Sequence, residues 1–129
     1  MPIKWLLDAS AVLAWLQEER GADVVDEVLD ESAMASVNAA EVLHKLVGQG
    51  ASPEQAHEIL TRLAIPIVDF SSDHLRQAAR FSREGGLSLG DRACLAIAEQ
   101  MGVTAVTADQ RWASVGARVR LIREVSAHA

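Results

Sequence analysis

Four acidic residues stand where a metal-dependent active site would need them. Asp8 and Asp109 each follow a short apolar run, and Glu41 and Asp91 each lie in the first turn of a predicted helix. In an open α/β sheet, the carboxyl ends of the strands and the starts of the following helices share one edge, and ligands bind there. The positions of these acids therefore predict that all four carboxylates converge at one edge of a sheet.

Four carboxylates packed together repel one another unless a positive charge joins them. Hard divalent cations take oxygen ligands, so Mg²⁺ or Mn²⁺ suits such a site. Zinc would be expected to recruit histidine or cysteine, whereas the four histidines are scattered and Cys94 is the only cysteine. The hydroxyls of Ser10 and Thr107, each two residues from one of the acids, are candidates for supporting the site.

Each acid also has a simpler structural interpretation. Asp91 is three residues after Ser88, and Glu41 is three residues after Asn38, which is the spacing of a capping box. Glu41 could instead pair with Lys45 one helical turn later, and the other two acids could cap the helices that follow them. Taken one at a time, these acids are more readily explained as caps; their joint position is what favours a shared site.

The apolar runs that precede these acids predict the sheet. Residues 3–7 are apolar except for Lys4, which is typical of a strand buried on both faces of a parallel sheet. Further runs at 33–37, 65–70, 103–107 and 119–122 predict four more strands, and Pro66 indicates that the third is an edge strand or that the proline lies at a strand start. Helical patterns fill the intervals, so the sequence predicts a three-layer α/β/α fold with a central, mostly parallel sheet of about five strands.

Capping signals locate several helices. Ser10 is a candidate N-cap for the first helix, and residues 52–55 (Ser-Pro-Glu-Gln) are a strong helix start. Ser88 is expected to begin a helix that Gly102 ends. A further helix is expected over 73–83. The chain of 129 residues is interpreted as a single domain spanning 1–129.

Composition limits the setting in which the protein works. The net charge is −6, but seven acids lie between residues 18 and 31, whereas eight of the twelve Lys and Arg residues lie between 76 and 123. No apolar run approaches the roughly 20 residues of a membrane span, and no signal peptide is evident at the N-terminus. We therefore expect a soluble, cytoplasmic protein without a membrane partner.

Several arginines are candidates for binding RNA. Arg76, Arg80 and Arg83 are spaced to share one helix face, and Arg92 adjoins Asp91. Such a face could follow the phosphates of a nucleic acid, although a solvated surface face is the simpler explanation.

The acids occur within four motifs that resemble those of PIN-domain ribonucleases, and more narrowly those of VapC-type toxins of bacterial toxin–antitoxin pairs. The runs are Leu-Leu-Asp8-Ala-Ser10, Asn38-Ala-Ala-Glu41, Leu87-Ser-Leu-Gly-Asp91-Arg and Val106-Thr107-Ala-Asp109. They occur in order and extend over nearly the whole chain. Trp112 departs from the family pattern, which more often has Phe at this position.

The resemblance implies a PIN-like fold and an Mg²⁺- or Mn²⁺-dependent endoribonuclease that hydrolyses RNA phosphodiester bonds as the toxin of a toxin–antitoxin pair. It also implies a cognate antitoxin protein and a homodimer. The four acids match the family's catalytic, metal-binding positions, and two hydroxyl residues match its supporting positions; in order along the chain these are Asp8, Ser10, Glu41, Asp91, Thr107 and Asp109.

Two other functions fit the same fold. A non-catalytic PIN-like module would bind RNA or protein without cleaving it. A phosphotransfer enzyme or receiver domain would use Asp8 as a phosphorylated nucleophile. That second alternative expects another acid two residues later or an adjacent acidic pair, and Ser10 stands at the first of these places.

Overall fold

Five short strands form one sheet at the centre of the computed structural model, which describes residues 2–83 and 85–124. The strands are β1 (Trp5–Leu7), β2 (Ser32–Ala35), β3 (Ile67–Val68), β4 (Thr104–Thr107) and β5 (Val119–Leu121). They pair in the order β3-β2-β1-β4-β5, and every pairing is parallel. The predicted α/β architecture is confirmed, and β3 lies at an edge of the sheet as Pro66 indicated.

Helices connect the strands. They are α1 (Ala9–Leu16), α2 (Ala22–Val28), α3 (Ser36–Gly48), α4 (Pro53–Leu63), α5 (Leu75–Arg80) and α6 (Leu89–Met101). Short 3₁₀ turns occur at Leu29–Glu31, Ser72–His74, Phe81–Arg83 and Gln110–Ser114. Among the described residues, no helix is both long enough and apolar enough to cross a membrane.

The strands are buried on both faces, because successive residues enter opposite halves of the core. Leu6 packs with Cys94, Leu95 and Trp112 in one half, which includes residues of α6. Leu7 packs in the other half with residues of α1 and α3. Burial on both faces explains why these strands read as nearly continuous apolar runs.

Two helix starts differ from the expectation. The N-cap of α1 is Asp8, as the capping interpretation of this acid predicted, and not Ser10; the Asp8 side chain accepts a hydrogen bond from the Ser10 amide. Helix α3 begins at Ser36, directly after the last paired residue of β2, so Asn38 is not a cap and Glu41 lies in the second helical turn. The strand was predicted to end two residues later than it does, because Ser36 and Val37 continue its pattern without pairing in the sheet.

The helix expected over 73–83 is divided. Ser71 caps a 3₁₀ turn, α5 occupies Leu75–Arg80, and a second 3₁₀ turn follows. The imidazole of His74 accepts a hydrogen bond from the Ser71 amide and stacks on Phe70, which fixes the tight first turn. By contrast, the starts at Ser52 and Ser88 and the left-handed C-cap Gly102 are confirmed.

Candidate active site

The four predicted acids line one cleft at the carboxyl ends of β1 and β4. The cleft has a volume of about 340 Å³ and is lined by Asp8, Ala9, Ser10, Leu13, Glu41, His44, Lys45, Asp91 and Asp109. Asp8 follows β1, Asp109 follows β4 after one intervening residue, and Glu41 and Asp91 come from α3 and α6. The convergence expected from the parallel topology is therefore present in the structure.

Asp8 is the most deeply placed of the four, with only 4% of its surface exposed. Its Oδ2 accepts hydrogen bonds from Ser10 Oγ at 2.7 Å and from Thr107 Oγ1 at 3.0 Å. The same hydroxyl oxygens accept from the amides of Ala108 and Asp109. Ser10 and Thr107 therefore support Asp8 as expected, and they tie the end of β1 to the end of β4.

Burial raises the pKa of Asp8 from 3.8 to about 6. The hydrogen bonds from Ser10 and Thr107 oppose this effect, and the charges of Asp91 and Glu41 reinforce it. The thiol of Cys94, buried in α6, also has its pKa raised, first by burial and then by these nearby carboxylates. The cleft therefore carries a concentrated negative charge.

Asn38 contacts two of the acids and the backbone of α6. The spacing of Asn38 from Glu41 had suggested only a helix cap. The Asn38 side chain is fully buried. Its Nδ2 donates to Glu41 Oε1 at 2.9 Å, to the Gly90 carbonyl at 3.1 Å and more weakly to Asp8 Oδ1 at 3.4 Å. This amide thus holds α3 against α6 and places a donor between two carboxylates, which reduces their repulsion.

Asp91 has the structural role that its spacing suggested and lies in the cleft as well. Its amide donates to Ser88 Oγ at 3.2 Å, and its Oδ2 accepts from the Ser88 amide at 2.8 Å, which forms a capping box. Capping fixes the carboxyl group at the start of α6 and leaves its other oxygen, Oδ1, outside these bonds. Asp91 can therefore take part in capping α6 and belong to the acidic cleft at the same time.

Asp109 is held by a residue that sequence analysis did not single out. Its carboxylate forms an ion pair with Arg111, with 2.6 Å between Asp109 Oδ2 and Arg111 Nη2. Hydrogen bonds from the Arg111 side chain lower the pKa of Asp109, so this carboxyl group stays ionised. The signal in the sequence was only a basic residue two positions after the acid.

The donor set of the cleft fits a hard divalent cation. The lining offers carboxylate oxygens from four places in the fold, and the buried Asn38 Oδ1 has no hydrogen-bond partner among the described residues. However, no three His, Cys, Asp or Glu side chains within residues 2–83 and 85–124 are already arranged to share a metal ion. Each carboxylate instead has a partner within the protein, and that of Asp109 is the guanidinium of Arg111.

The candidate RNA-binding arginines that the structure describes, Arg76, Arg80 and Arg92, do not line this cleft. Arg76 and Arg80 are exposed on α5, where Arg80 Nη1 is 3.9 Å from Glu99 Oε1. Arg92 donates from Nη1 to the Leu87 carbonyl at 3.4 Å. The side chain of Arg83 lies outside the described residues.

The ion pair considered for Glu41 is not formed. Within the described part of the chain, Glu41 and Lys45 make no salt bridge, so that simpler interpretation of Glu41 is wrong. The carboxylate of Glu41 is held by Asn38 instead.

Comparison with solved structures finds the same fold in toxin–antitoxin complexes. A chain of a toxin–antitoxin complex from Klebsiella pneumoniae is 19% identical with a TM-score of 0.74, covering 95% of this chain and 100% of that chain. A chain of DNA-bound VapBC from Salmonella typhimurium is 13% identical with a TM-score of 0.74, covering 94% and 99%. A chain of VapBC-5 from Mycobacterium tuberculosis is 24% identical with a TM-score of 0.62, covering 95% and 100%.

Two comparisons used the sequence alone. None of the curated proteins with which the sequence was compared matches it. The family described as the PIN domain matches residues 5–118, a span that includes all four acids of the cleft and four of the five strands in full. The chain therefore belongs to the PIN domain family.

Proposed function

We propose that this protein is a divalent-metal-dependent endoribonuclease and the toxin of a VapC-type toxin–antitoxin pair. The observation that carries the proposal is the convergence of four carboxylates, from four separate elements, in one cleft at the carboxyl edge of the sheet. Membership of the PIN domain family and the shared fold of the toxin–antitoxin complexes support it.

Asp8, Glu41, Asp91 and Asp109 are the residues that would hold Mg²⁺ or Mn²⁺, directly or through water. When bound, such a cation lowers the pKa of a water molecule and neutralises charge on the scissile phosphate. The protein positions these ligands: Ser10 and Thr107 fix the Asp8 carboxylate, and Asn38 fixes that of Glu41.

A water molecule is the nucleophile that best suits this cleft. The one thiol close to the acids, Cys94, is fully buried, and its raised pKa keeps it protonated at neutral pH. The Ser10 hydroxyl is engaged with Asp8 and with the Ala108 amide.

Cleavage of total RNA by the purified chain without a partner tests the proposal. We expect discrete fragments with Mg²⁺ or Mn²⁺, none with EDTA, and none with Asp91→Asn. Asp30→Asn is the matched control, because it removes the same charge from an exposed turn before β2 and should leave cleavage unchanged. Metal-independent cleavage, or full cleavage by Asp91→Asn, would refute the assignment.

The two alternatives predict different results. A binding module would retain RNA without cleaving it under any metal condition. A receiver domain would be labelled by acetyl phosphate at Asp8. That second alternative is disfavoured by the residues around Asp8, because Ser10 stands where a receiver domain would have a second acid.

Arg76, Arg80, Arg83 and Arg92 remain candidates for contacting the RNA backbone. Substitution of a phosphate-binding arginine by alanine should weaken RNA binding and reduce the slope of log affinity against log salt by about 1. The measurement requires Asp91→Asn as the background, so that RNA stays intact. Arg62→Ala is a suitable control, because Arg62 pairs with Glu58 on α4.

A second cleft is a candidate surface for the antitoxin. It has a volume of about 500 Å³ beside α1 and α2, with an apolar floor and an acidic rim formed by Trp15, Leu16, Glu18, Ala22, Asp23, Asp26 and Leu63. A partner segment with apolar and basic side chains would complement it. Co-purification with the product of the adjacent reading frame should be weakened by Asp26→Lys but not by Glu54→Lys.

We also propose a homodimer, following the family expectation. Light scattering of the purified chain over a range of concentrations measures the oligomeric state, and a mass equal to one chain throughout that range would refute the dimer.

A further inference from the structure

One guanidinium group contacts two of the four acids in the cleft. Arg111 Nε donates to both oxygens of Asp109, at 3.0 and 3.1 Å, and Arg111 Nη2 donates to Asp109 Oδ2 at 2.6 Å. The same Nη2 is 3.9 Å from Asp91 Oδ2. A single positive charge therefore lies where two carboxylates of the proposed metal site meet.

A third contact holds this side chain from the opposite side. Arg111 Nη1 donates to the Gly86 carbonyl at 2.6 Å, in the turn that precedes α6. A Cβ at Gly86 would lie 3.2 Å from Nη1, so the turn approaches the guanidinium closely. The rest of the side chain is open, with 58% of its surface exposed, so it can leave the site without disturbing the core.

We propose that Arg111 is an internal counterion of the metal-free site and that it is displaced from Asp109 and Asp91 when a divalent cation binds. The inference rests on the proposed function, because it assumes that these acids hold the cation. Carboxylate oxygens committed to a guanidinium are not free to act as ligands, and a neighbouring positive charge repels a divalent cation. Arg111 therefore lowers the affinity of the site for metal and neutralises part of its charge until metal arrives.

Lys45 provides a comparison that distinguishes the pairing of Arg111 with Asp109 from the general effect of a positive charge on metal binding. Lys45 lines the same cleft but forms no ion pair with another described residue. Removal of Lys45 takes one positive charge from the cleft and frees no ligand. Removal of Arg111 also takes away one positive charge, and in addition it frees the oxygens of Asp109.

Titration calorimetry with Mn²⁺ on the full chain is the test. We expect Arg111→Ala to bind Mn²⁺ about three- to tenfold more tightly than the unmodified protein, and Lys45→Ala to change affinity by less than about twofold. Without metal, Arg111→Ala should have a lower melting temperature, and Mn²⁺ should raise that temperature by more than it does in the unmodified protein.

Each outcome has a distinct meaning. Equal Mn²⁺ affinity for the unmodified protein and Arg111→Ala, or an equal gain in Lys45→Ala, would overturn the counterion role while leaving the metal site in place. Absence of Mn²⁺ binding by every form, with folding verified by circular dichroism, would overturn the proposed metal site and this inference together. Binding by Arg111→Ala alone would support the inference strongly.

Discussion

Gly90 lies directly against the carboxyl group of Glu41. A Cβ built at Gly90 would be 2.3 Å from Glu41 Oε2 and 2.5 Å from Glu41 Cδ, distances that real Cβ atoms do not adopt. The absence of a side chain near the start of α6 is therefore what lets the Glu41 carboxylate reach the cleft. The Gly90 carbonyl also accepts a hydrogen bond from Asn38, so backbone and side chain act together here.

Gly90→Ala should consequently displace Glu41 and impair the site. We expect metal-dependent RNA cleavage to fall by at least about tenfold, because a misplaced group at an active site is costly even when the shift is small. Gly48→Ala is the matched control: Gly48 is also helical, its Cβ would meet nothing within 4 Å, and the change should be neutral or stabilise by about 0.5–1 kcal/mol. Unchanged cleavage by Gly90→Ala would contradict this account.

Asp8→Asn should stabilise the metal-free protein at neutral pH. In the folded protein Asp8 has a pKa of about 6, against 3.8 for the ordinary group. Between pH 3.8 and about pH 6 the folded state therefore binds more protons than the unfolded state. Stability from this residue is therefore greatest below pH 3.8, declines as the pH rises to about 6, and stays lowest above that. The full shift corresponds to about 3 kcal/mol.

The measurement is urea unfolding of both proteins in EDTA at several pH values. The difference in unfolding free energy between Asp8→Asn and the unmodified protein should favour the variant increasingly from about pH 4 to about pH 7, because the other carboxylates titrate in both proteins. The ion pair of Asp109 acts in the opposite direction and at lower pH, since the stability from its lowered pKa is lost only under acid conditions. A difference independent of pH would contradict the burial effect assigned to Asp8.

Asn38→Asp should destabilise the metal-free protein more than Asn38→Ala. Alanine loses the hydrogen bonds to Glu41 and Gly90, at a cost of about 1–3 kcal/mol. Aspartate keeps the size of the side chain but places a further buried charge next to Glu41 and Asp8, which adds repulsion at neutral pH.

Urea unfolding at neutral pH in EDTA measures the free energies of unfolding of Asn38→Asp and Asn38→Ala and shows which variant is less stable. Added Mn²⁺ should recover part of the stability lost by Asn38→Asp, because a cation offsets the added charge, and should recover less of that lost by Asn38→Ala. If Asn38→Asp were as stable as the unmodified protein in EDTA, the donor role assigned to the Asn38 amide would be wrong.

Trp112→Phe should be tolerated. The Trp112 ring is fully buried in the half of the core that includes Leu6, and its Nε1 has no hydrogen-bond partner among the described residues. Phenylalanine leaves a small cavity but removes an unsatisfied donor, so we expect a change within about 1.5 kcal/mol. Trp112→Ala should cost about 3–5 kcal/mol. Thermal or urea unfolding distinguishes these values, and a loss for Phe close to that for Ala would contradict the explanation.

The architecture and the convergence of the four acids in one cleft could both be predicted from the sequence. Apolar runs and capping residues are local signals, and parallel topology brings the residues that follow the strands to one edge. The sequence therefore sufficed to predict that the four acids lie together, with two hydroxyl residues beside them. The acids are Asp8, Glu41, Asp91 and Asp109, and the hydroxyl residues are Ser10 and Thr107. The cap at Ser88 and the stop at Gly102 were also predictable, because each depends on residues within one helical turn.

The way in which Asn38 and Arg111, which hold two of these acids, are themselves anchored could not be predicted from the sequence. Asn38 reaches Gly90, 52 positions away, and Arg111 reaches Gly86, 25 positions away, so neither contact leaves a local pattern. The same holds for the exact start of α3, which depends on where pairing in the sheet ends. Long-range packing sets the burial that raises the pKa of Asp8 and the close approach of Gly90 to Glu41, and no spacing along the chain encodes either effect.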